Sequence, residues 1–135
     1  MFEPRRVAYA DTSALAKLVL DEPEAAHFAD AFSSQDRVLT SIVGAVELER
    51  AARRARGEDG GRQVAMILDR LTLVRVSDEV RRVAARMAPS RLRTLDAIHL
   101  ASAMEPGRAG PFYCYDRRLC DAALAAGLPV ESPGA

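Results

Sequence analysis

The chain has 135 residues, of which 49% are hydrophobic and 28% charged, and its 19 basic and 19 acidic side chains cancel to a net charge of zero. That length suits one domain with one core, expected over 1–135, and the composition argues against a disordered chain. No apolar run approaches the roughly 20 residues of a membrane span, and zero net charge gives no global pull toward nucleic acid.

The amino terminus, MFEPRRVAYADTS, carries a basic pair, but Asp11 interrupts the apolar run that follows before it reaches the length of a secretory leader. A cytoplasmic location is expected. RVAYA (6–10) has the character of a first strand, followed by helices at 13–20 and 23–34. RVLT (37–40) is the second strand, and alanine-rich segments at 42–56 and 61–70 are the next helices. LTLVRV (71–76) is the third strand, with helices after it at 78–88 and 94–105. PFYCY (111–115) is the fourth, before a helix at 117–126 and a last short strand near 129–131. Pro23, Gly57, Gly60, Pro89, Pro106 and Gly127 punctuate the pattern.

Crossovers between parallel strands need a dozen or more residues, which these helical segments supply. The expected fold is α/β: an open parallel sheet of four or five short strands flanked by helices on both faces. In such sheets the site lies beyond the carboxyl ends of the strands, where strand order switches.

Asp11 follows the first strand and Asp116 the fourth, and each also suits the N-cap of the helix that comes next. Glu47 lies inside TSIVGAVELERAARR, on the wheel between Val43 and Ala51, with Arg50 and Arg54 within helical reach as alternative partners. Asp96, in RTLDAIHLA, shares a stripe with Leu100 and Ala103, where burial without a partner costs several kcal/mol; an N-cap role would relieve it, though Thr94 competes for that position. Two strand-end aspartates and two acids within apolar helices would converge on one face, and the only lysine is Lys17. Converging carboxylates repel, and a divalent cation is the usual remedy; oxygen-only ligation favours magnesium or manganese over zinc. Cys114 and Cys120 have no second Cys/His pair at zinc spacing and are expected to be free thiols. His99 is expected to pack within its helix, His27 to lie at the surface, and Tyr9, Tyr113 and Tyr115 to pack in or beside the sheet. Asp121 fits an exposed helix position. Arginines cluster at 50–56 and 81–93, suited either to phosphate or to a solvated helix face.

The segments DTSALAKL with LDEPE, LTSIVGAVELERAARR, LRTLDAIHLASA and CYDRRLCDAALAAGLPV resemble, in order and spacing, the four signature blocks of the PIN domain, most closely the VapC-type ribonuclease toxins of prokaryotic toxin–antitoxin pairs. The resemblance implies a PIN-like fold and a magnesium- or manganese-dependent endoribonuclease that leaves 5′-phosphate and 3′-hydroxyl ends. It implies that Asp11, Asp96 and Asp116 hold the metal directly or through water and that Glu47 ligates or orients a water. Thr12 and Ser13 match the small hydroxyl residues that support the first acid. Cys114 stands where the family usually has a hydroxyl residue two before the last aspartate. Implied partners are an RNA substrate, a small VapB-type antitoxin whose tail enters the acidic pocket, and a second copy of the chain in a homodimer, with no membrane. A non-catalytic PIN-fold binding module is the alternative, disfavoured because all four acids are present. A receiver-like phosphoacceptor needs an acidic pair after the first strand, where YADTS supplies one acid, and a haloacid-dehalogenase phosphatase needs an aspartate where Ser13 stands.

Overall fold

Strands with apolar side chains on both faces require cover on both faces. The computed structural model of the chain, which describes residues 6–104 and 110–135, meets that requirement with five strands and six helices. The strands are β1 (Val7–Ala10), β2 (Arg37–Ser41), β3 (Leu71–Val74), β4 (Phe112–Tyr113) and β5 (Val130–Glu131). The helices are α1 (Thr12–Leu15), continued by a 3-10 turn at Ala16–Leu18, then α2 (Ala25–Ser33), α3 (Ile42–Leu68), α4 (Asp78–Ala85), α5 (Thr94–Ala103) and α6 (Arg117–Ala125). All strand pairs are parallel and the order is β3-β2-β1-β4-β5. The expected end of α5 at 105, and Pro106 after it, fall outside the described residues.

Period-two alternation divides the sheet between two cores. Ala8, Ala10, Val38 and Tyr113 point to one side and pack with Leu15, Phe28, Leu48 and Val64 from α1, α2 and α3. Tyr9, Leu39, Phe112 and Cys114 point to the other and pack with Leu100 of α5 and Leu119 of α6. The register pairs Tyr9 with Phe112 across β1 and β4, and their rings stack at 5.5 Å. On the opposite face Phe28 meets Tyr113 edge-on at 5.4 Å.

The helices expected at 42–56 and 61–70 run together as α3, bent at Gly57, whose φ of 58° and ψ of −139° are non-helical. Beyond the bend the second arm comes back close to the first. A Cβ on Gly60 would press on the carbonyl of Ala52, 2.6 Å from its carbon, so Gly60 is a close-approach glycine rather than the helix break expected from sequence. Gln63 fastens the second arm by donating from Nε2 to the Leu18 carbonyl at 3.0 Å.

The topology dictates where a site can form. From central β1 the chain adds β2 and β3 on one side, then crosses to add β4 and β5 on the other, so the switch in strand order lies between β1 and β4. Asp11 is the first residue past β1, and Asp116 caps the helix that follows β4.

Gly60→Ala should lower stability by about 1–3 kcal/mol, because backbone cannot move aside as a flexible side chain can. Thermal melts check this against Met66→Ala on the same arm, 72% exposed, which should stay within about 0.5 kcal/mol of the parent.

Candidate active site

β1 ends at Ala10, and the residue that follows opens the next helix. Asp11 adopts extended backbone and caps α1, its carboxylate accepting from Ala14 N at 2.9 Å and from Ser13 Oγ at 2.8 Å. Cys114 Sγ donates to the same carboxylate at 3.4 Å. Asp11 is only 3% exposed, and burial pushes its carboxyl above the ordinary 3.8 despite the opposing field of His99 and these hydrogen bonds. Ser13 Oγ also accepts from Tyr115 N at 2.9 Å, so one hydroxyl ties the start of α1 to the segment leaving β4.

Asp116 caps α6 in the same manner, accepting from Leu119 N at 3.0 Å. Capping uses one of about four acceptor positions on a carboxylate, so it does not exhaust the group. Cys114 supports this neighbourhood differently from a hydroxyl that bonds the Asp116 side chain: its Sγ lies 3.4 Å from the Asp116 backbone oxygen and 3.4 Å from Asp11 Oδ2.

Asp96 occupies the third position of α5, whose N-cap is Arg93, so neither Asp96 nor Thr94 is the cap. The Asp96 side chain is half-buried and makes no hydrogen bond or ion pair among the described residues. Burial raises its carboxyl above 3.8, the charge of Asp116 raises it further, Asp11 and Glu47 add smaller contributions, and His99 opposes them. Of the four acids, Asp96 is the one left without a partner.

Glu47 is paired across the fold rather than along its own helix. Neither Arg50 nor Arg54 reaches it; Thr12 Oγ1 donates to Glu47 Oε1 at 2.7 Å, and His99 Nε2 lies 3.3 Å from the same oxygen. The contact with His99 and then that with Thr12 hold its carboxyl below the ordinary 4.5, against the opposing effect of burial. His99 therefore does more than pack. An ionised carboxylate only accepts, so a proton belongs on Nε2, while Nδ1 lies 2.7 Å from Tyr9 OH, accepting from it when the ring is neutral and donating to it when the ring is charged. Tyr9 OH in turn accepts from Ser41 N at 3.0 Å. The imidazole fits only because residue 44 is glycine: a Cβ there would stand 2.6 Å from His99 Cε1. A glycine in the first turn of a helix, where it costs about 1 kcal/mol relative to alanine, was the available sequence signal for this packing.

Lys17, the only lysine, is drawn away to Glu24 at 2.7 Å and Glu22 at 3.5 Å and supplies no charge to the acids. Among the described residues no three Asp, Glu, His or Cys side chains form a ready-made metal cluster. The acids nonetheless lie near enough for Asp96 to feel Asp116, Asp11 and Glu47. An open set of oxygen donors with one unpartnered carboxylate suits a hard ion such as magnesium, which keeps several waters and takes one or two carboxylates.

Comparison with known proteins assigns the family and the fold. A PIN domain profile matches residues 8–124. The chain belongs to the PIN domain family. Among curated PIN relatives, ribonuclease VapC47 of Mycobacterium tuberculosis is 38% identical over 133 residues, covering 94% of this chain and 97% of its own. Among solved PIN folds, VapC20 of M. tuberculosis, described as a sarcin–ricin loop cleaving toxin, superposes with a TM-score of 0.72 at 20% identity, covering 90% of this chain and 95% of its own. VapBC2 from Rickettsia felis, solved on a DNA fragment from its promoter, gives 0.72 at 10% identity, covering 94% and 98%. At those identities the two structures speak for the PIN fold.

In the metal-free PIN domain, Asp11 and Asp96 keep protons at pH values where the unfolded chain has lost them. Their contribution to stability is therefore complete below about pH 3.8 and declines as pH rises through their raised values. Glu47 acts in the opposite sense, stabilising above 4.5 and losing that contribution as pH falls through its lowered value. Melts of Asp96→Asn and parent in chelator should coincide near pH 4, with the variant melting higher as pH rises to 8. A variant that melts several degrees lower at every pH would make Asp96 a structural residue. His99→Phe, which preserves ring bulk, should raise the Glu47 carboxyl toward its ordinary value, read from its side-chain carbon shift in an NMR titration.

Proposed function

We propose that this PIN domain is a metal-dependent endoribonuclease, the toxin of a toxin–antitoxin pair, acting in the cytoplasm as a homodimer restrained by a VapB-type antitoxin. The observation that carries the proposal is the unpartnered, half-buried Asp96 beside Asp11, Glu47 and Asp116 at the switch point of the sheet. Its named relative VapC47, matched almost end to end, supports ribonuclease chemistry. The single domain spans 1–135.

Asp11, Asp96 and Asp116 would hold magnesium or manganese directly or through water. When bound, such an ion supplies Lewis acidity, activating water and offsetting the charge that builds on a phosphodiester. Asp11 is rigid, because Ser13, Ala14 and Cys114 restrain its carboxylate. Glu47, kept ionised by His99 and Thr12, is suited to accept a hydrogen bond from the attacking water and so to aim its lone pair at phosphorus. Thr12 and Ser13 thereby act through the acids they touch.

RNA cleavage by the purified chain should require magnesium or manganese and stop with chelator. Asp96→Asn should lower the rate by orders of magnitude, since positioning and charge stabilisation fail together. Magnesium at a hundred times its dissociation constant should stabilise the parent by about 2.7 kcal/mol and the variant much less. Undiminished cleavage by Asp96→Asn would falsify the assignment. For the partner, co-expression with the small protein encoded beside this chain should restore growth of cells that the chain alone arrests.

A further inference from the structure

Most arginines on α3 and α4 already have partners. Arg53 pairs with Glu49 and Glu58, Arg62 with Asp59, Arg81 with Asp78 and Arg82 with Glu79, while Arg56 donates to the Val19 carbonyl. Arg50, Arg54, Arg86, Arg93 and Arg117 have no side-chain partner among the described residues, and neither do Arg91 and Arg118, but these last two share a groove. Both are exposed, with guanidinium groups that make no hydrogen bond or ion pair among the described residues. They line one groove of about 580 Å³ between the segment leading into α5 and α6, with Leu92 and Ala125 as apolar lining and Asp121 one turn beyond Arg118.

The groove is walled by the elements that carry two of the acids. α5 carries Asp96 in its first turn and α6 is capped by Asp116, so residues 89–92 and Arg118 flank the ends of the two helices that bear these carboxylates. From Arg118 to Ala125 the α6 wall runs about 10 Å away from Asp116. Guanidinium groups without partners suit phosphate, which they grip by paired N–H donors. Asp121 argues against an acidic peptide as the occupant, since a second carboxylate would be repelled, but it suits the amino edge of a base. A small apolar lining lets that base leave water.

We propose that this groove is a nucleotide subsite next to the scissile bond: Arg91 and Arg118 hold phosphates of a single RNA strand, and Asp121 accepts from the amino group of a base resting on Leu92 and Ala125. The inference rests on the ribonuclease function proposed above. It predicts that uracil, which lacks an exocyclic amino group, is under-represented at one position beside the cut.

The test uses the purified full chain, magnesium and a pool of single-stranded RNAs of randomised sequence, with the ends of the products sequenced. Arg91→Ala/Arg118→Ala should raise KM about tenfold or more while kcat is retained. Binding to the same pool in chelator should lose about 1.4 from the slope of log affinity against log salt, as expected for two single-strand phosphate contacts. Arg91→Lys/Arg118→Lys should recover most of the salt slope, and melts should confirm that these surface variants fold. Asp121→Asn should admit uracil at the discriminated position. An unchanged KM and salt slope in the double alanine variant, or the same base preference in Asp121→Asn, overturns the subsite while metal-dependent cleavage by the parent stands. A double variant that cuts RNA normally but no longer binds the neighbouring antitoxin also overturns it, assigning the groove to protein. A parent that neither cuts nor binds RNA overturns the subsite and the ribonuclease function together.

Discussion

A carboxylate taken almost wholly out of water at the end of the central strand sets the terms for the structure around it. Asp11 is 3% exposed, and such burial is tolerable only with several donors in place. Ala14 N supplies one from the first turn of α1, Ser13 Oγ another, and Cys114 Sγ a third from the far side of the β1–β4 switch. The first two commit α1 and the third commits the segment after β4. Satisfying this one group therefore fixes how α1 leaves the sheet and how closely the segment after β4 approaches it, with Ser13 completing the link through Tyr115 N.

Around that fixed acid the others divide into satisfied and unsatisfied. Glu47 is restrained by a chain of contacts that starts at the backbone of Ser41, passes through the Tyr9 hydroxyl and the His99 ring, and ends at Oε1. Asp116 is engaged by its helix, and Asp96 by nothing described. A pocket in which three acids are oriented and one is left open is preorganised toward a cation without being closed around one. That distinction accounts for Asp96 sensing the charges of the other acids while no ligand cluster is preformed among the described residues.

Local periodicity carried most of the fold. VAYA and RVLTS alternate their faces as written, and the acids that end β1 and cap α6 stand where a parallel sheet places a site. The N-cap and site roles of Asp11 and Asp116 looked like rivals in the sequence, yet geometry allows both, because capping consumes only part of a carboxylate. What could not be read were contacts across elements. Glu47 looked able to pair with arginines on its own helix, because spacing along one helix is visible and the approach of Thr12 and His99 from elsewhere is not. Gly60 looked like a helix break for the same reason: its need for a missing Cβ comes from Ala52, on an arm that folds back beside it.

The fate of Lys17 has a chemical consequence. It is 8% exposed and shared between Glu22 and Glu24, and every other basic residue in the chain is arginine. Lysine acetylation, lysine ubiquitination and lysine-directed crosslinking all depend on an accessible side-chain nitrogen, and this chain shields its only lysine behind two carboxylates. Its remaining basic charge is guanidinium, which stays protonated throughout the physiological pH range. Enzymes that tune other proteins by erasing lysine charge would find almost nothing here to act on.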